Sequence, residues 1–174
     1  MGVVEKNLLI TGLPGVGKTT LIRRLFEGLK DFHPVGFYTA EIREGGMRKG
    51  FELVSLEGKR GVLSHLNIKS RYRVGRYKVD VGGFEDFLDG ISFFDPSSDM
   101  MMVDEIGKME CLSTKFDKII KEVLDSEKWV VATIALKGSG PITEVKKRQD
   151  VKLFEIMQSN RDVLFSEILK EINP

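Results

Sequence analysis

Cysteine is nearly missing from this chain: Cys111 is the only one, so no intrachain disulfide can form and a reducing compartment suits it. Long apolar runs are missing too. None approaches the roughly 18 residues that a membrane span needs. The opening MGVVEKNLLITG breaks its apolar run at a glycine turn, without the small-residue cleavage site of a signal peptide. The expectation is a cytoplasmic protein that begins on a core strand and has no membrane partner. Histidine is scarce as well, and the two present, His33 and His65, stand alone without metal-ligand spacing. Charge of either sign is not in excess. Lys plus Arg number 27 and Asp plus Glu 26, a net +1 that excludes bulk attraction to nucleic acid and leaves room only for local patches. Linkers, repeats and low-complexity tracts are also lacking, so 174 residues read as one domain, 1–174, with a real core.

What is present alternates between two patterns. Short apolar runs at Asn7–Thr11, Met100–Val103, Trp129–Ala135 and Val151–Met157 read as buried strands. Between them, apolar residues at helical spacing mark helices over 18–30, Gly83–Phe94, a stretch opened by Ser113, Ile142–Lys147 and Arg161–Ile172. Such alternation predicts an α/β three-layer sandwich, a mostly parallel sheet with helices on both faces. Its ligands belong beyond the carboxyl ends of the strands. One segment breaks the pattern. Val35–Ile42, Met47–Leu56 and Gly61–Leu66 are strand-like runs separated by Glu44-Gly45-Gly46 and Glu57-Gly58-Lys59. Turns this short require antiparallel neighbours, so an inserted β-meander is expected over about 35–66.

The strand before residue 12 and the helix after residue 17 enclose Gly12-Leu13-Pro14-Gly15-Val16-Gly17-Lys18-Thr19, an unbroken G-x-x-x-x-G-K-[ST]. Its glycines let successive N–H groups turn inward onto phosphate oxygens, and the helix start adds a positive dipole end. Lys18 is expected at the β- and γ-phosphates, and the Thr19 hydroxyl on Mg2+. With Thr20 these residues form the expected nucleotide-binding loop.

A second element, Met100-Met101-Met102-Val103 followed by Asp104-Glu105-Ile106-Gly107, has the strand-then-acid form of a Walker B motif and completes the expected nucleotide site. Asp104 would hold magnesium through water. Glu105 stands where it can orient or deprotonate an attacking water, and positioning with electrostatics is most of phosphoryl-transfer catalysis. Asp104–Gly107 also reads D-x-x-G, and Thr114–Asp117 imitates the TKxD guanine motif. Those ten residues of separation and the amphipathic helix that follows are wrong for a GTPase, whose guanine motif follows a later buried strand.

The chain resembles the small nucleoside-triphosphatase family first known from thermophiles and also represented in animals, including the human cancer-related nucleoside-triphosphatase. The resemblance rests on Thr11–Thr20, on Gly36-Phe37-Tyr38-Thr39 with Glu41 and Arg43, and on Gly46, Arg48 and Gly50-Phe51. Arg73-Val74-Gly75 with Tyr77, Val103–Glu110, and Asn160-Arg161-Asp162 with Leu164 complete it. Val103–Glu110 is the narrowest of these pieces; Cys111 departs from the aliphatic residue expected next. The resemblance implies a RecA-like P-loop core and slow, magnesium-dependent hydrolysis of many nucleoside triphosphates.

Several residues fit two roles. Arg48 and Arg73 are candidates for an internal arginine finger, or for surface ion pairs. The basic stretch 69–78, with Tyr72 and Tyr77, fits either a grip on triphosphate or single-stranded nucleic acid, or a guarded edge strand. Asn160 and Arg161 are placed to flank the base, although Asn160 also suits a helix cap. Thr133 fits a γ-phosphate sensor or a core residue. No reader of a particular base is visible, so ATP, GTP, CTP, UTP and their deoxy forms are all expected substrates. A nucleotide, nucleoside or polynucleotide kinase, or an NTP-dependent switch, would use the same motifs.

Overall fold

Residues 4–174 are described by the computed structural model; the first three residues of the opening run lie outside the described residues. The strands are β1 (Asn7–Thr11), β2 (Val35–Glu44), β3 (Met47–Ser55), β4 (Arg60–His65), β5 (Arg73–Val74), β6 (Tyr77–Val79), β7 (Met100–Ile106), β8 (Trp129–Ile134) and β9 (Val151–Glu155). The helices are α1 (Lys18–Gly28), α2 (Val81–Asp89), α3 (Thr114–Leu124), α4 (Pro141–Lys146) and α5 (Arg161–Ile172).

Side-chain alternation along the buried strands creates two cores. Leu8, Ile10, Met100, Met102 and Val131 point to one face, against Leu21, Ile22 and Leu25 of α1 and Leu164 and Ile168 of α5. Leu9, Met101, Val103, Val130 and Ala132 point to the other, against α2, α3 and α4. With a period of two, each fully apolar strand supplies both layers at once. The Ser113 hydroxyl accepts from Phe116 N at 3.1 Å and so starts α3 as its sequence predicts.

All strands join one sheet, in the order β5-β6-β4-β3-β2-β7-β8-β1-β9. The sheet is mixed rather than mostly parallel. β2, β7, β8, β1 and β9 run parallel, whereas β3, β4, β6 and β5 extend the sheet by antiparallel pairing. The expected meander therefore has different limits. Its first strand, β2, already belongs to the parallel half through β7, and it continues past residue 66 to Val79. The unrecognised part is a hairpin: Val74 pairs Tyr77 across the two-residue turn Gly75-Arg76, with Gly75 at φ +58°. Basic residues on β5 and β6 hid the strand signal. Helix α2 stops at Gly90, short of the expected Phe94, and the space a Cβ would need there is filled by the Lys59 ammonium.

Candidate active site

The loop between β1 and α1 leaves the sheet where only glycine fits. A Cβ on Gly12 would lie 2.7 Å from the Ile156 carbonyl oxygen at the end of β9. Gly17 then adopts φ +111°, a left-handed conformation that turns the chain directly into α1. Lys18 folds back over this loop and donates to the Gly12 and Leu13 carbonyls at 2.9 and 3.2 Å.

Opposite, β7 carries Asp104 at the carboxyl end of the parallel strands. Its carboxylate accepts from three hydroxyls: Thr133 at 2.6 Å, Thr19 at 2.8 Å and Thr39 at 3.4 Å. Burial pushes this carboxyl above the usual aspartate range, and Thr133, Thr19, Thr39 and Lys18 oppose that push. A buried carboxylate beside a hydroxyl, lacking an ion-pair partner among the described residues, suits a small hard divalent cation that keeps most of its ligands as water and phosphate. Thr19 and Asp104 therefore stand together, as a magnesium site requires.

Glu105 follows, half-buried. Burial raises its carboxyl most, Asp104 raises it further, and Lys18 and Lys146 oppose them. Gly107 makes the turn beyond it. A Cβ at Gly107 would meet Glu105 Oε1 at 2.8 Å and Glu110 Oε1 at 3.2 Å, so the two carboxyl groups face one another across that glycine. Glu110 is buried, and its Oε2 has no hydrogen-bond partner among the described residues. Burial, with Glu105 close by, lifts it well above the ordinary glutamate range.

The remaining predicted residues divide clearly. Met100, Met101, Met102 and Val103 are enclosed in the two cores, so their side chains carry Asp104 to the site without reaching a ligand. Arg161 lies over the glycine loop, its Cδ 3.3 Å from the point a Gly17 Cβ would occupy. Asn160 is occupied: its Oδ1 accepts from Met157 N at 2.7 Å, and its Nδ2 donates to the Glu155 carbonyl at 2.9 Å. It clasps the β9–α5 turn and makes no side-chain cap.

Arg48 is engaged by Glu41 at 3.1 Å and by the Tyr77 hydroxyl at 2.8 Å. It stands on the β2–β3 hairpin, which runs on past Phe37–Val103, the last β2–β7 pair. Arg73 is not brought to the loop at all. It donates to the Gly75 carbonyl within its own hairpin, on the edge strand farthest from β9. Within the 69–78 stretch, Arg71 stacks on Tyr72 and Arg76 on Tyr77, so its aromatics are already covered by its own cations. Cys111 is half-buried, and burial pushes its thiol up to about 12, an inert packing residue.

Three contributors escaped the sequence reading. Thr39 and Glu110 belong to motif fragments but carry no spacing that announces a role, and Lys146 is one basic residue in a run of three. Thr133 grips Asp104, a partner that its sequence position does not reveal.

The family model described as NTPase matches residues 7–169. The nucleoside-triphosphatase THEP1 of Thermotoga maritima is 46% identical over 165 residues, covering 94% of this chain and 93% of that protein. The human cancer-related nucleoside-triphosphatase is 38% identical over 182 residues, covering 95% and 96%. The crystal structure of THEP1 from Aquifex aeolicus superposes with a TM-score of 0.82 at 34% identity, over 94% of this chain and 97% of that one. A solution structure of a human cancer-related nucleoside triphosphatase gives 0.78 at 35% identity, over 95% and 96%. With a family match over nearly its whole length, the chain belongs to the NTPase family, whose relatives here carry the name nucleoside-triphosphatase.

Proposed function

We propose that this enzyme hydrolyses nucleoside 5′-triphosphates to the diphosphate and phosphate, with magnesium, on a RecA-like P-loop core formed by the chain as a single domain. One observation carries the reading: the Thr19 hydroxyl and the buried Asp104 carboxylate lie 2.8 Å apart, with Lys18 on the adjoining loop. Lys18 binds the β- and γ-phosphates, and Thr19 and Asp104 hold the metal. Magnesium, when bound, neutralises charge on the phosphate oxygens. Glu105 orients a water whose oxygen bonds to the γ-phosphorus. The bond from that phosphorus to the bridging oxygen breaks, the diphosphate leaves with the electron pair, and Glu105 takes the proton. Arg161, beside Gly17 of the loop, is the contact for the base side, and a guanidinium plane suits any base.

Arg48 is the finger candidate with the better position, on a hairpin reaching past the end of β7; it must exchange Glu41 for phosphate. Nucleoside triphosphates are the partners, the compartment is cytoplasmic, and a net charge of +1 supplies no drive toward membrane or nucleic acid. Among the described residues no helix is long and apolar enough to cross a membrane.

A kinase is favoured by one feature, a groove of about 490 Å³ beside the first turns of α1. Thr20, Arg23, Tyr38, Leu56 and Arg60 line it, and Arg23 stacks over Tyr38 at 4.9 Å. That volume suits a small anionic acceptor. Phosphate release from Mg–ATP, with and without nucleoside and nucleotide acceptors, separates the readings. We expect release that needs no acceptor; turnover appearing only with a phosphorylated acceptor would replace the hydrolase by a kinase.

A further inference from the structure

Outside the residues assigned so far, one lysine, Lys146, lies close enough to Glu105 for each charge to feel the other. Ile106, next to Glu105, pairs with Ile134, and the Ala135 amide donates to the Ile106 carbonyl at 3.1 Å. The following residue, Leu136, offers its carbonyl to the Lys146 ammonium at 2.8 Å, in a partly buried contact. The end of β8 therefore ties Lys146, through Leu136, to the strand pair that carries Glu105.

Its neighbours on α4 behave differently. Glu144 pairs outward with Lys121, and Arg148, just past the helix, binds Asp125 and Asp150. Lys146 has no carboxylate within ion-pair distance among the described residues; burial pushes its ammonium below the usual lysine range, and Glu105 opposes that push. One of its three N–H donors is used, on a neutral carbonyl. Lys18 shows the same arrangement, its ammonium resting on the Gly12 and Leu13 carbonyls. Glu105 feels both. Two ammonium groups thus lie within electrostatic reach of the proposed base, each held by carbonyls that a phosphate oxygen would outcompete through charge.

We propose that Lys146 is a further catalytic residue of this site, a lysine finger supplied in cis that leaves the Leu136 carbonyl for a γ-phosphate oxygen as Glu105 directs water onto the phosphorus. This inference rests on the hydrolase reading given above. The chemistry is unchanged; Lys146 binds charge that grows on the γ-phosphoryl oxygens while the bridging bond breaks, and transfers no proton. Interactions gained only in the transition state raise kcat with little effect on substrate affinity.

The test compares wild type with K146M and K146R. It measures kcat and KM for Mg–ATP, Mg–ATP affinity, and binding of Mg–ADP with aluminium fluoride as a mimic of the transferring phosphoryl group. K146M should lower kcat by about 10²-fold. It should move Mg–ATP affinity less than about threefold and lose affinity for the fluoride complex by a factor close to its kcat loss. K146R should restore most of the rate. Should K146M fail to fold, K146Q takes its place in the same comparison. Wild-type kcat in the neutral variant overturns the inference alone, as does a slow variant that still binds the fluoride complex normally. A wild-type protein that releases no phosphate from any nucleoside triphosphate removes the hydrolase reading itself, and that result is read before any variant is made.

Discussion

Asp104 shows how much a single buried side chain can demand of its surroundings. Its carboxylate sits where water cannot solvate it, and three hydroxyls from β8, α1 and β2 supply the hydrogen bonds instead. Glu105 differs, being half-buried, with burial and Asp104 raising its carboxyl against Lys18 and Lys146, a direction that suits a group accepting a proton from water. Glu105→Gln should therefore bind Mg–ATP near-normally while turnover drops by about 10²–10⁴-fold. A variant retaining more than about a third of the wild-type rate would remove Glu105 as the base. Asp104→Asn should instead weaken the dependence on magnesium. Glu110 makes a statement about stability. Unfolded, it ionises in the ordinary glutamate range; folded, burial and Glu105 hold its proton to much higher pH. Between those two limits the unfolded state alone loses the proton, so rising pH favours unfolding, and the stability present in acid is lost as pH climbs through the folded value. Glu110→Gln cannot titrate. Thermal melts from pH 5 upward should show wild type losing a few degrees relative to the variant, and parallel curves would contradict a protonated Glu110.

At the scale of elements, β2 links the core to the chemistry. Phe37 enters an aromatic cluster with Phe84, Phe87 and Phe116, at ring separations of 5.7, 5.8 and 6.2 Å. Tyr38 receives Arg23 on the opposite face, and Thr39 reaches Asp104. All of this depends on β2 lying tight against β7, which Gly36 permits. It holds φ +142°, and a Cβ there would stand 1.8 Å from the Met102 carbonyl oxygen. Gly36→Ala should push the strands apart and cost about 3 kcal/mol or more. Gly45, in the β2–β3 turn at φ +58°, has nothing within 4 Å of its own Cβ position. Gly45→Ala carries only the left-handed penalty of about 1–2 kcal/mol. Urea unfolding of the two variants measures the difference; equal midpoints would mean that strand approach is not what Gly36 provides.

Taken whole, the molecule offers the proposed phosphate site side chains from several elements and the base side only a few. Lys18, Thr19, Asp104 and Glu105 converge from α1 and β7, whereas the base side offers Arg161 beside Gly17 and Asn160 already bonded to backbone. Discrimination between bases needs buried polar groups that a wrong base would leave unpaired. ATP, GTP, CTP and UTP should therefore be hydrolysed with kcat/KM values within about tenfold of one another, or roughly 1.4 kcal/mol. Measuring the four constants at one magnesium concentration checks this, and a preference above about a hundredfold would return the site to a dedicated kinase or GTPase. The sequence alone determined the elements whose cause is local. The glycine loop, the apolar strands, the Ser113 cap and the span of α5 follow from residues within a few positions of one another, and so did the pairing of a phosphate loop with Asp104-Glu105. The hairpin at 73–79 was within reach too, through its two-residue turn at Gly75-Arg76, but the basic residues Arg73, Arg76 and Lys78 masked the alternation. Only the tertiary structure decided that β2 would join the parallel half and bring Thr39 to Asp104, and that Arg73 would lie at the remote edge of the sheet. It alone turned Glu110 inward and set Lys146 on the Leu136 carbonyl, within electrostatic reach of Glu105. Those outcomes depend on pairing order and on which end of a strand meets which loop. Contacts across tens of residues arise from burial and strand register, and neither leaves a periodic mark in the chain.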